Sequence, residues 1–144
     1  APPYDRKDIV YRRSPYRVHF DGYRRWSAGP EVLAARELRD WLRETGPFAS
    51  VTSSREKADY VVEGEVMEMY ELNSEGERYG VVELELSLAG PDGTTLFTIR
   101  PRYRVKARPT EDLSGLAEAV SRALEKAYRD FTARAEKELC SAEK

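Results

Sequence analysis

The chain is poor in the residues that most often carry chemistry. It has a single cysteine, Cys140, and a single histidine, His19. One thiol excludes an internal disulfide and a cysteine-based zinc site. Near the C-terminus, Cys140 reads as a surface or helix-face residue. One histidine permits only one arrangement of a Ser-His-Asp or Cys-His site, and no candidate nucleophile adjoins it in the sequence. Net charge is also scarce, at −2. Nucleic-acid binding needs an excess of Lys and Arg to displace counterions from phosphates, so this balance argues against it. No apolar run approaches the ~18–20 residues needed to cross a bilayer. No signal peptide is visible. The chain opens Ala1-Pro2-Pro3 without a methionine, which suggests a processed or trimmed form and leaves room for a targeting sequence before it. No glycine-rich phosphate loop follows a strand, and there is no internal repeat. No metal site and no cofactor are expected.

What remains is a polar chain of 144 residues, 40% hydrophobic and 35% charged. That length predicts a single domain over residues 1–144, with an extended arm at 1–8 and a fraying tail at 140–144. A domain of this size buries roughly 68–70% of its unfolded surface and needs no disulfide or metal to hold a core.

Residues 9–26 are rich in β-formers, interrupted by Ser14-Pro15, so the better strand is expected at 15–21 with Tyr16, Val18 and Phe20 on one face. A proline there favours an edge strand or a bulge. Pro30 opens a helix at about 30–45, with Ala34, Ala35, Leu38, Trp41, Leu42 and Thr45 as its apolar stripe. Gly46-Pro47 stops it, the glycine being expected in the left-handed region. Short strand 48–51, polar loop 52–58 and strand 59–70 follow, the last with Tyr60, Val62, Gly64 and Val66 on one side. Gly64 inside that strand suggests close packing against a helix. Asn73 to Gly76 is a turn signal, and residues 79–89 alternate Val82, Leu84, Leu86 and Leu88 against Glu83, Glu85 and Ser87. Residues 90–93 turn the chain into a last strand, 95–107, with Phe97, Ile99, Tyr103 and Val105 inward. The final helix is placed at about 112–139, capped by Thr110 or Asp112. Its stripe is Leu113, Leu116, Ala117, Val120, Leu124, Ala127, Phe131, Ala135 and Leu139.

The order β-α-β-β-β-β-α predicts an α+β fold: a mixed, mostly antiparallel sheet with two helices packed on one face. The first crossover should join parallel strands and the later strands should form a meander. Pairing Leu86 with Ile99 and Leu88 with Phe97 puts Glu85 opposite Arg100 and Glu83 opposite Arg102. Arg104, Lys106 and Arg108 extend this basic row, with Glu63 and Glu65 adding acids from the next strand. Such a face is ordinarily a solvated one knitted by cross-strand ion pairs, each worth roughly 0.2–1 kcal/mol. Its far end, Arg104 to Arg108, has fewer acidic partners in this register and is the better candidate for binding a partner subunit or an anionic headgroup.

Arg12, Arg24, Arg25 and Trp26 belong to a second cluster of arginines interleaved with aromatics. Its plain reading is arginine stems covering the sheet edge and Trp26 packing at the strand-to-helix corner. Glu63 and Glu65, like Glu83 and Glu85, sit at i, i+2 on an exposed face, where nothing raises a pKa for general acid work. His19 alternates with Val18 and Phe20 and should point to the polar face. No catalytic residue is expected.

The segments Tyr4-Asp5-Arg6, Ile9-Val10-Tyr11-Arg12, Ser14-Pro15-Tyr16-Arg17-Val18 and Tyr23-Arg24-Arg25-Trp26 resemble the N-terminal signature of the ABC-type transport auxiliary lipoproteins. Gly46-Pro47-Phe48-Ala49-Ser50-Val51, the run from Ala58 to Val66, the closing hairpin and the long last helix are similar to that family too. The resemblance covers nearly the whole chain. It implies a non-enzymatic accessory subunit, anchored by a lipidated cysteine upstream of the mature domain and accompanying ABC transporter subunits and an MCE-domain protein. Those systems move lipids between the two membranes of the envelope. It implies a periplasmic, membrane-tethered place, at the outer membrane, and a ring of copies for some relatives. Within it, the partner-binding residues are expected among Arg12, Arg24, Arg25, Trp26, Arg104, Lys106 and Arg108. Cys140 is at the wrong end to carry the anchor. The Ala-Asp-Tyr-x-x-x-Gly strand is shared more widely, with TolB-like and curli-secretion-type lipoproteins. An envelope structural or secretion-apparatus lipoprotein is therefore the alternative.

Overall fold

The computed structural model describes residues 15–24, 30–109 and 114–142. The expected arm at 1–8, the first β-rich residues 9–14, the Ser27–Gly29 break and the caps Thr110 and Asp112 lie outside the described residues. So do Arg12, Arg25 and Trp26.

Among the described residues the strands and α-helices follow in the order β1 (Arg17–Arg24), α1 (Pro30–Glu44), β2 (Ser50–Val51), β3 (Tyr60–Ser74), β4 (Glu77–Ala89), β5 (Thr95–Ile99), β6 (Arg102–Lys106) and α2 (Ser114–Ala142), with a short 3-10 turn at Arg55–Lys57. The six strands form one sheet in the order β2-β1-β3-β4-β5, with β6 also paired to β4. β1 runs parallel to both β2 and β3, and every other pair is antiparallel. This is the expected α+β arrangement with an open, mostly antiparallel sheet. β1 is not the edge strand that Pro15 suggested: it lies between β2 and β3 because Pro15 stands before its first residue, where no ladder donor is needed. Asp59 locks its start, accepting the Arg17 backbone N–H at 2.7 Å while Asp59 N donates to Arg17 O at 2.9 Å.

Alternation puts Val18, Phe20, Val62, Val66, Leu84, Leu86, Leu88 and Phe97 on one face, and all are buried. Both helices meet that face. α1 supplies Ala34, Leu38, Trp41 and Leu42, and α2 supplies Ala123, Leu124, Ala127, Tyr128, Phe131, Ala135 and Leu139 to the same core. In α2 the stripe is rotated from the expected one in its first turns: Ala119 is buried and Ala117 exposed. Gly80 explains this. A β-carbon there would lie 2.9 Å from Val120 N and 3.2 Å from Ala119 C, so the helix backbone rests directly on the strand.

The chain departs from expectation at four other points. Gly46 ends α1 without a left-handed φ; it is needed because a β-carbon would meet Leu42 O at 2.8 Å. Gly64 is filled by the Tyr23 ring, whose carbons come within 2.8 Å of the would-be β-carbon, rather than by a helix. β2 is shorter than 48–51, because Phe48 turns into the core. The last strand is split at Arg100-Pro101, where proline has no N–H to give the ladder. Pro101 O still accepts from Leu84 N at 3.0 Å, so the register carries through the break: Leu86 faces Ile99 before it and Glu83 faces Arg102 after it.

Candidate interaction surface

The face away from the helices carries the charged side chains, and the register that the alternation predicts builds it. Arg100 closes on Glu85 at 2.7 Å. Arg102 is the centre of the lattice. It bonds Glu83 at 3.2 Å and the Tyr70 hydroxyl at 3.0 Å, and it contacts the Glu68 carboxylate. These acceptors, Glu68 first, hold its guanidinium even further above neutrality than an ordinary arginine.

Glu68 takes the place expected for Glu63 and Glu65. A bulge between Val66 and Glu68 inserts Met67 and brings Glu68 opposite Glu83. Nothing in the alternation of β3 announces that extra residue. Glu65 lies opposite Glu85 and is buried.

The basic row beyond Arg102 is less free than its sequence spacing suggests. Lys106 pairs with Glu77 at 3.1 Å across the β4 end of the long hairpin. Arg108 leaves the row for α2, where it makes a two-pronged bond to Glu118 at 3.0 and 2.9 Å. That bond holds the Glu118 carboxyl below its usual range. Glu118 comes from the helix, so strand register could not reveal it. Arg104 differs from both. Its guanidinium lies 4.7 Å from the centre of the Tyr79 ring and contributes an exposed, ring-supported cation. Of the other expected site residues, only Arg24 is described: it ends β1, which lies across β3 from the β4 and β6 strands that carry the row.

His19 projects to the same side of the sheet as the charged row, yet is buried, because the Thr52–Lys57 segment folds over it. Its Nδ1 donates to Thr52 O at 2.9 Å, and its Nε2 contacts the Asp21 carboxylate. Both ring nitrogens thus face a carbonyl and a carboxylate, not a hydroxyl or thiol nucleophile. Among the described residues no three His, Cys, Asp or Glu side chains cluster as metal ligands, and no helix is long and apolar enough to cross a membrane.

A feature the spacing did not reveal lies beside this histidine. β1 carries a bulge between Phe20 and Tyr23, with Gly22 at φ +122°. The bulge turns the Phe20 and Asp21 carbonyls toward α1, where they accept from Arg39 at 3.4 and 3.1 Å. Between β1, α1 and residues 51–53 this leaves a cleft of about 250 Å³ lined by His19, Phe20, Asp21, Arg39, Arg43 and Thr52, among others. The Asp21-Gly22 pair within a strand was the available signal.

Comparison with known proteins places this geometry. A structure from Xanthomonas campestris has a TM-score of 0.73 at 10% identity, covering 93% of this chain and 91% of that one. A putative lipoprotein from Caulobacter crescentus has a TM-score of 0.62 at 15% identity, covering 87% and 91%. A PelC dodecamer from Paraburkholderia phytofirmans has a TM-score of 0.54 at 17% identity, covering 80% and 91%. At these identities the likeness is one of fold. No curated protein matches. The model of the ABC-type transport auxiliary lipoprotein component matches residues 1–131. A match over nearly the whole chain, joined to an open sheet with one charged face, settles its kinship: the chain belongs to the ABC-type transport auxiliary lipoprotein component family.

Proposed function

We propose that this chain is a non-catalytic accessory subunit of an intermembrane lipid transport system, which binds an MCE-domain protein and ABC transporter subunits and tethers them to a membrane. The family is one of lipoproteins that accompany an ABC-type transport system, and it is not a known enzyme family. The observation that carries the reading is the division of the sheet. One face is spent on both helices, and the other presents an unburied charge lattice ending in the Arg104 cation. A face of alternating carboxylates and guanidiniums selects partners by charge complementarity and contributes little to folding. In this reading Arg104 and Lys106 dock the partner, together with Arg108 and the Arg12, Arg24, Arg25 and Trp26 group. The tether is a lipid anchor in the periplasm, at the outer membrane, and the copies assemble as a ring. PelC, a dodecamer, gives that last point a precedent in a similar fold.

Capture of the transporter partners by immobilised protein tests the reading. Arg104→Glu with Lys106→Glu should lower capture at least about tenfold while the thermal midpoint stays within a few degrees, since exposed charges contribute little to stability. Undiminished capture by that double variant, and by a second one reversing Arg24 and Arg25, would sink it.

A further inference from the structure

The cleft beside β1 is separate from the lattice just described, and its chemistry points to a definite occupant. Arg39 is held in place before anything binds. Two of its five N–H groups are spent on the Phe20 and Asp21 carbonyls, and its guanidinium carbon lies 5.4 Å from the Phe20 ring centre. An arginine fixed in this way loses little freedom when it takes a further acceptor. Arg43, one turn along α1, lines the same cleft. Its own partner, Asp40, stands 3.7 Å away, beyond hydrogen-bonding distance. The one acid in the lining, Asp21, contacts the His19 ring, with Arg55 also 3.7 Å from it, so the lining sets two arginines against one carboxylate. The charge left over is therefore positive, and it belongs to two planar, fork-shaped donors suited to a carboxylate. Val51 adds apolar wall to the same space, while Phe20 faces the core and borders the cleft with its carbonyl. The volume is below the range of ordinary small-molecule pockets, roughly 300–1,000 Å³, and suits one side chain.

From this geometry we infer that the cleft is an anchor pocket for a glutamate side chain presented by an acidic segment of a partner protein. The carboxylate pairs with Arg39 and Arg43, and the methylenes lie on Val51. A buried charge with bidentate arginine partners is the kind of contact that dominates an interface. This surface acts independently of Arg104 and Lys106, so its failure leaves the proposed tethering role standing.

The test is a backbone-amide NMR titration of the whole chain with a blocked peptide, acetyl-Gly-Ser-Glu-Leu-Glu-Gly-amide. Its Gln-for-Glu counterpart, sodium acetate and sodium phosphate are the other arms. Shifts should be confined to residues 19–22, 39–43 and 51–53, with Kd near about 1 mM. Both the Gln peptide and Arg43→Gln should weaken binding roughly tenfold. Arg43 makes no contact that holds β1, so that variant keeps its fold; Arg39→Gln serves as a second variant once its spectrum shows a native fold. Equal shifts from the Gln peptide would overturn the proposal. So would shifts from phosphate alone at the same or lower concentration, which would mark a site for free anions. No shifts by about 10 mM peptide would overturn it as well.

Discussion

Gly64 has no room for a β-carbon. The Tyr23 ring would stand 2.8 Å from it and Leu86 3.2 Å, and Tyr23 is itself buried and bonded to Tyr128. The ring cannot swing away as a surface side chain would. Gly64→Ala should therefore cost about 1–3 kcal/mol in urea or thermal denaturation, the usual penalty for overpacking. A loss below a few tenths would mean that Tyr23 yields easily. At this scale the sequence was partly readable. It flagged Gly64 as a point of close approach but named a helix as the neighbour, because nothing local reports that Tyr23 follows a bulge. It likewise put His19 on the polar side without the loop that buries it. The strand register left Arg104 to Arg108 short of acidic partners as a group; Arg104 meets the Tyr79 ring, whereas Glu77 and Glu118 reach Lys106 and Arg108 from a hairpin end and a helix.

Elements were more legible than single contacts. The period-two runs of β3 and β4 and the 3.6-residue stripes of α1 and α2 set which face is core, and the Leu86–Ile99 pairing followed from burial alone. Bulges and breaks did not follow, because one inserted residue changes register without changing composition. The joint between elements rests on a short polar chain in the core. Tyr128 on α2 donates to Ala34 O on α1 at 2.7 Å and accepts from Tyr23 on β1 at 3.0 Å. Burial raises both phenols well above their ordinary range, so neither ionises at neutral pH. Tyr128→Phe leaves a buried hydroxyl and a buried carbonyl without this partner and should cost about 1–3 kcal/mol by chemical denaturation. An unchanged midpoint would show that the helices are placed by apolar packing alone. Leu→Ala substitutions in the surrounding core provide the scale for comparison, at about 2–5 kcal/mol.

For the whole molecule, pH separates two kinds of carboxylate. Asp59 is held below its usual range by the Arg17 backbone N–H, and Glu118 by Arg108. Their contributions are present above the unfolded-state carboxylate pKa and disappear as pH falls through their lowered folded values. Glu37 behaves oppositely. Burial between the helices raises it, against the Ser121 hydrogen bond that lowers it. Its contribution is present below the unfolded value and is lost as pH rises through the raised folded one. Glu37→Gln should thus raise the thermal midpoint at about pH 7 and change it little at about pH 4, while Asp59→Asn should lower it at about pH 7 and change it little only at about pH 2, below its folded value. Midpoints that moved equally at both pH values would show that packing, not ionisation, governs these sites.

The placement of β1 has a mechanical consequence for a protein of a tethered family. β1 stands near the N-terminal end, with parallel neighbours on both flanks. Tension entering from that end and directed along β1 shears it lengthwise against β2 and β3, so the ladder bonds share the load instead of parting one after another. The two bonds between Arg17 and Asp59 at its foot are the first to feel it. Were the chain anchored ahead of β1, it would resist extraction through this interior strand, and the load would enter the sheet away from β4 and β6, which bear the charged row.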